Sequence, residues 1–160
     1  MKKEILILAT TFLILSLIGC SSEIIHFETD NLNVINRDIV SINNSKNTLI
    51  LNNKIGDGMA IIKDLDFDEG VIELELKGEN NPGKSFVGIA FNIQNDSVYE
   101  AVYFRPFNFQ SDKKIRREHS VQYIHHPKYT WRFLRTNYEG QFESEYPRQP
   151  LPDEWFGVRV

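Results

Sequence analysis

Beyond about residue 27 the chain repeats one pattern: a short apolar or alternating run, a cluster of turn formers, then another run. No stretch places apolar residues at i, i+3, i+4 and i+7 over three turns, the spacing of an amphipathic helix, so strands must build the core. The candidate strands are 48–51, 59–63, 71–77, 85–92, 98–105, 120–125, 131–136 and 155–160. Asn80, Asn81, Pro82 and Gly83 form one turn signal, Gln94, Asn95, Asp96 and Ser97 a tight hairpin signal, and residues 52–58 a polar loop. The expected fold class is all-β, an antiparallel two-sheet sandwich or jelly roll. At 160 residues the chain has room for one domain. Its 41% hydrophobic and 25% charged residues suit a globular core rather than a disordered chain. A formal net charge of -4 argues against nucleic acid as a partner. One cysteine gives no internal disulfide, and no Cys/His spacing suits zinc.

The first residues have a different character. Met1, Lys2 and Lys3 precede an almost wholly apolar run over residues 5–18, the charged and apolar regions of an export signal. That run is shorter than the roughly 20 residues a helix needs to cross hydrocarbon, which disfavours the alternative of a permanent transmembrane helix. Leu17, Ile18, Gly19 and Cys20 resemble a bacterial lipobox, which implies cleavage before Cys20 and acylation of that cysteine. The plain alternative is a buried core cysteine. The expected organisation is a signal peptide over 1–19, a lipidated cysteine and short tether over 20–26, and the β domain over 27–160. Ser21 and Ser22 differ from the aspartate that often signals inner-membrane retention. The expected location is therefore the bacterial cell envelope, outer membrane or surface rather than inner membrane. Without Lys2, Lys3 and Glu4 the mature part has 16 basic and 21 acidic residues, a net charge of -5, so attachment rests on the lipid and not on charge.

Strand parity assigns faces. In 71–77, Ile72, Leu74 and Leu76 oppose Glu73, Glu75 and Lys77. In 85–92, Val87, Ile89 and Phe91 make a core face, while Phe86, Gly88, Ala90 and Asn92 leave room for something to lie across the sheet. In 98–105, Val102 and Phe104 point to the core and Tyr99, Ala101, Tyr103 and Arg105 form an aromatic, basic face. Sixteen of the nineteen aromatic residues follow position 85, so this half carries the candidate site.

The segments SFVGIAFN (85–92), YEAVYFRPFNF (99–109) and VQYIHHPKYTW (121–131), led by GVIELELKG (70–78), resemble the concanavalin A-like lectin/glucanase jelly roll. The similarity lies near secreted bacterial 3-keto-disaccharide hydrolase and laminin-G-like domains and covers roughly residues 45–160. It implies two stacked sheets with a concave face and a sugar-binding, sugar-cleaving or accessory role. The resembling domains continue for several more strands after a comparable Trp-containing segment. Strand 155–160 has no turn or partner strand after it, so the jelly roll is expected to be incomplete at its C-terminus.

Tyr99, Tyr103, Arg105, Asn108, Gln122 and Trp131, with Asn92, supply what a glycan site needs: polar groups for hydroxyls and rings for sugar CH faces. The competing reading is that these rings are core, as sandwich aromatics commonly are. Arg105 and Gln122 are expected to contact ligand. The weak catalytic candidates are Glu73, Glu75 and Glu100. Glu73 and Glu75 share a face, and a retaining glycosidase needs two carboxyls about 5 to 5.5 Å apart. In an ExDxxE motif, however, the third acid would fall on Gly78, and Glu100 has the wrong parity for Tyr99 and Arg105. Asp64, Asp66, Asp68 and Glu75 match four places of a calcium loop, but Glu69 replaces its glycine, so a turn is the better reading. His119, His125 and His126 read as solvated histidines rather than metal ligands, and Lys113, Lys114, Arg116 and Arg117 as an exposed loop able to meet an acidic glycan. Nothing calls for a cofactor. The expected function is a surface lipoprotein that binds carbohydrate through this domain. Glycoside cleavage is one alternative and a non-catalytic structural or protein-interaction module the other.

Overall fold

The computed structural model describes residues 22–160; the leader and Cys20 lie outside the described residues. Among the described residues ten strands form in chain order: β1 (Leu32–Ile35), β2 (Ile39–Asn43), β3 (Thr48–Leu51), β4 (Met59–Ile62), β5 (Glu73–Leu76), β6 (Val87–Asn95), β7 (Val98–Phe104), β8 (Val121–His125), β9 (Glu143–Ser144) and β10 (Phe156–Arg159). Two short helices interrupt them, α1 (Lys114–Glu118) and α2 (Trp131–Asn137). The chain is β-rich and every strand pairing is antiparallel. A four-stranded sheet runs β6-β7-β8-β9, and β1-β4, β2-β3 and β10-β5 form two-stranded ribbons.

The central sheet is buried on both faces, by different means. On one face Phe104, Val87, Ile89, Val102 and Val121 pack against Leu74, Leu76, Phe156 and Val158 of the β5-β10 ribbon, with Phe109 and Tyr146 closing the cluster. On the other face Tyr99, Ala101 and Ile124 pack against Leu134 of α2, with Ala90, Tyr103, Tyr129, Phe133 and Phe142 around them. The small residues of β6 do leave room, and the protein's own side chains fill it. At Gly88 a Cβ would lie 2.7 Å from Tyr103 Cα and Cβ, so the close approach of Tyr103 needs glycine there.

Two expectations are corrected. Residues 131–136 form most of α2 rather than a strand. Thr130 caps this helix, its side chain accepting from the Phe133 backbone N–H at 3.3 Å. Leu134 docks the helix on the sheet, so local capping and packing override the strand propensity of its aromatic and apolar residues. The basic run over 113–117 is mostly helix α1, with Arg117 paired to Glu145 at 2.9 Å. The last strand pairs with an earlier one, Phe156, Val158 and Arg159 lying opposite Leu76, Leu74 and Glu73 of β5. Ile72 and Val160 extend the pairing by exchanging backbone hydrogen bonds. Near the start of the described residues, Asn47 donates to Ile25 O and accepts from Phe27 N–H, so residues 25–27 are held against the β2-β3 turn.

Candidate functional site

The two faces of the central sheet divide the sequence-derived candidates between them. Tyr103, Arg105 and Gln122 stay together, because Tyr103 and Gln122 are directly opposed in the β7-β8 register and Arg105 follows one residue after β7. Gln122 is 1% exposed and Arg105 7% exposed. Arg105 donates through Nη1 to His119 O and through Nη2 to Tyr103 Oη at 2.8 Å and Gln122 Oε1 at 3.4 Å. Gln122 Nε2 in turn donates to Tyr123 O at 3.0 Å and Phe142 O at 3.1 Å. The expected ligand contacts of Gln122 are therefore taken by the protein itself. Tyr99 and Asn108 are buried too, Tyr99 stacked on His126 at 5.1 Å and Asn108 in the 3-10 turn Pro106–Asn108. For these residues the core reading fits their placement.

Three residues that sequence reasoning did not assign to the site complete it. Glu143, opposite Gln122 in the β8-β9 register, is only 4% exposed at its side chain. Arg135 meets it in a forked pair, Nε at 3.0 and 3.1 Å and Nη2 at 2.6 Å from the carboxylate oxygens. His119 Nδ1 lies 2.9 Å from Glu143 Oε2, but off the direction of a hydrogen bond, and has no other partner among the described residues. Burial and then the Arg135 charge lower the His119 pKa against the opposing pull of Glu143, which favours the neutral imidazole. Burial also pushes the Tyr103 phenol up and lowers Arg105, which remains a guanidinium cation at any ordinary pH.

Trp131 opens this network to the surface. It is 39% exposed at the first position of α2. The Arg135 guanidinium lies 5.1 Å from its ring centre and that of Arg132 5.4 Å. Phe86, also exposed, meets Tyr103 and Phe107 edge-on, each at 5.8 Å. Helical spacing joins the parts: Trp131 and Arg135 are four residues apart, one turn of α2. Residues 131–136 read as a strand conceal that neighbourhood; Thr130 as an N-cap and an arginine in the last turn were the available signal.

Asn92 and Glu100 belong elsewhere. By parity Asn92 should share the Gly88 and Ala90 face, but the register shifts after Phe91 and Asn92 adopts φ +49°. This bulge swings its side chain to Glu100, where Nδ2 donates to Oε1 at 2.8 Å. Tyr123 donates its phenol to the other oxygen, Oε2. These two hydrogen bonds, Tyr123 first, hold Glu100 below the usual carboxylate range. Burial and then the Glu100 bond push Tyr123 up to about 12. A phenol whose folded pKa is raised contributes stability that is full below its ordinary value near 10 and is lost as pH rises toward 12. An ultraviolet titration should therefore show Tyr123 still protonated where an ordinary tyrosine has ionised, and Glu100→Gln should bring its midpoint down. If Tyr123→Phe deleted a tyrosine of ordinary midpoint instead, the bond to Glu100 would not hold in solution.

Glu73 and Glu75 lie on the exposed side of β5, away from both groups. Glu73 pairs with Arg159 at 3.1 Å. Both border a cleft of about 730 Å³ between ribbon and sheet, walled by Leu74, Val102, Phe104, Val121 and Val158. Among the described residues no three of His, Cys, Asp and Glu gather as metal ligands. No helix among them is long and apolar enough to cross a membrane.

Comparison with protein-family models, with curated proteins and with solved structures finds no match to this chain.

Proposed function

We propose that this chain is a lipid-anchored protein of the bacterial cell envelope whose β domain binds carbohydrate at the Trp131 surface. The observation that carries the reading is the exposed Trp131 ring, flanked by the guanidinium groups of Arg132 and Arg135, the second of which forks onto the buried Glu143. An aromatic face beside fixed polar groups is the pairing that sugar recognition uses. The β5-β10 ribbon stacked on the four-stranded sheet supports a jelly-roll-like two-layer arrangement. The Leu17 to Cys20 sequence supports the anchor. An intact Met1 terminus or an unmodified Cys20 in the membrane fraction of a native host would count against it.

Binding is preferred over glycoside cleavage because cleavage needs two convergent carboxyls. Glu100 is held by Tyr123 and Asn92, and of Glu73 and Glu75 on the exposed side of β5 the first is paired with Arg159. In the Trp131 network Glu143 is forked to Arg135.

A glycan array probed with the full chain in detergent, paired with a reducing-sugar release assay, tests the reading. Binding without release is expected. Trp131→Ala should weaken it by about 1 kcal/mol, about five-fold in Kd, with the fold retained. Sugar release would favour the enzyme instead, and silence on the array, or binding indifferent to Trp131, would remove the site.

A further inference from the structure

The network beneath Trp131 contains more positive than negative charge. Arg105 is nine-tenths buried, yet among the described residues no carboxylate lies within ion-pair distance of it; its partners are a carbonyl, a phenol, an amide oxygen and the Tyr103 ring, 4.9 Å away. Its Nε–H has no partner among the described residues, and neither does Nη1 of Arg135, whose Nε and Nη2 both serve Glu143. Arg132 is exposed and likewise makes no ion pair among the described residues. Two guanidinium groups, Arg105 and Arg135, thus act with the one carboxylate of Glu143, the exposed Arg132 adds a further positive charge beside Trp131, and His119, kept toward its neutral form, does not add to the excess. Asp57 acts on Tyr99 and Tyr103 from the loop before β4, but pairs with none of the three arginines. Buried charges in folded proteins are ordinarily paired, because removing a cation from water without a counter-ion is costly. The chain as a whole is acidic, at -4, so this local excess opposes the general trend.

We infer that the Trp131 surface takes an anionic sugar, a uronate or a sulfated residue. Its ring packs on the exposed part of Trp131, and its acid group pairs with Arg132 and Arg135 beside that ring, offsetting the local positive excess to which the buried Arg105 contributes. A guanidinium edge offers two parallel N–H groups, the geometry that carboxylate and sulfate oxygens accept. A neutral sugar would leave the excess uncompensated. The inference rests on the carbohydrate reading above and narrows it to a ligand class.

Calorimetric titration of the full chain in detergent with trigalacturonate, its fully methyl-esterified form and a sulfated galactan oligosaccharide free of carboxylate tests it. The ester keeps the sugar and removes the charge. At least one acidic probe should bind about tenfold more tightly than the ester. Whichever is tighter identifies carboxylate or sulfate. Added salt should narrow the gap. Arg105 is built into the fold and its removal could unfold the chain, so exposed Arg132 is the informative position: Arg132→Gln should reduce the acid-to-ester ratio about five-fold. Equal binding of acidic and esterified probes would overturn this inference while leaving the carbohydrate reading in place. A DNA oligonucleotide that displaced the acidic sugar as well as the sugar itself would overturn it too, since the surface would then read charge alone. If neither these probes nor any arrayed glycan bound, both readings would fall.

Discussion

Leu134→Ala is expected to destabilise the protein by about 2 to 5 kcal/mol and to dissolve the Trp131 surface along with α2. Leu134 is 2% exposed and is the α2 side chain most deeply set against Tyr99, Ala101 and Ile124 of the central sheet. At seven residues α2 is far below the length at which a helix persists alone in water, so its order comes from that contact and from the Thr130 cap. Once it lifts, Arg135 leaves Glu143, and a carboxylate 4% exposed is stranded in the sheet without its forked partner. The loss of stability and the loss of ligand binding should therefore come together. Denaturant unfolding compared with Arg132→Ala, on the exposed side of the same helix, isolates the contact, since the control should change stability by no more than about 0.5 kcal/mol. A cost below about 1 kcal/mol for Leu134→Ala would falsify the docking of α2 through this residue.

What the sequence made legible follows the reach of its physical signals. Period-two alternation placed β5, β7, β8 and β10 within a residue or two and found β6 but ended it three residues early, because each buries one parity against a neighbour and the pattern is written locally. It placed Val102 and Phe104 in the core correctly. It could not tell that the opposite face, with Tyr99 and Ala101, is core as well, since that depends on Leu134 arriving from thirty or so residues away. Reading that face as an open groove made ligand contacts of Arg105 and Gln122, which the structure binds to His119, Tyr103, Tyr123 and Phe142 instead. The Asn92 bulge was equally hidden: one register shift changes the face, and alternation assumes none. Of the anticipated glycan residues, Trp131 keeps an exposed ring, and it does so on a helix that the strand reading excluded.

The second large effect lies on the other face. Phe156→Ala should cost about 3 to 5 kcal/mol, a large share of the roughly 5 to 15 kcal/mol that holds a domain together. Phe156 is 3% exposed, and its ring sits 5.0 Å from Phe109, 5.3 Å from Phe104 and 5.4 Å from Tyr146, in edge-on contact with each. These three reach it from β7, from the end of the 3-10 turn and from the segment after β9, so one side chain joins elements that share no hydrogen-bonded ladder with β10. Beyond its own pairing the β5-β10 ribbon is held by Leu74, Leu76 and Val158 and by the Tyr146 phenol donating to Gly157 O, and an isolated two-stranded ribbon is marginal in water. Truncation should therefore loosen Leu74, Leu76 and Val158 as well, and amide exchange should quicken through β5 and β10 before it does in β7 and β8. Trp155, the residue before it, is larger but 48% exposed, and Trp155→Ala should cost far less. Strand alternation alone separates these neighbours. If the two variants unfolded at the same denaturant concentration, or if exchange rose equally in all four strands, the ribbon would not be seated on the sheet through Phe156.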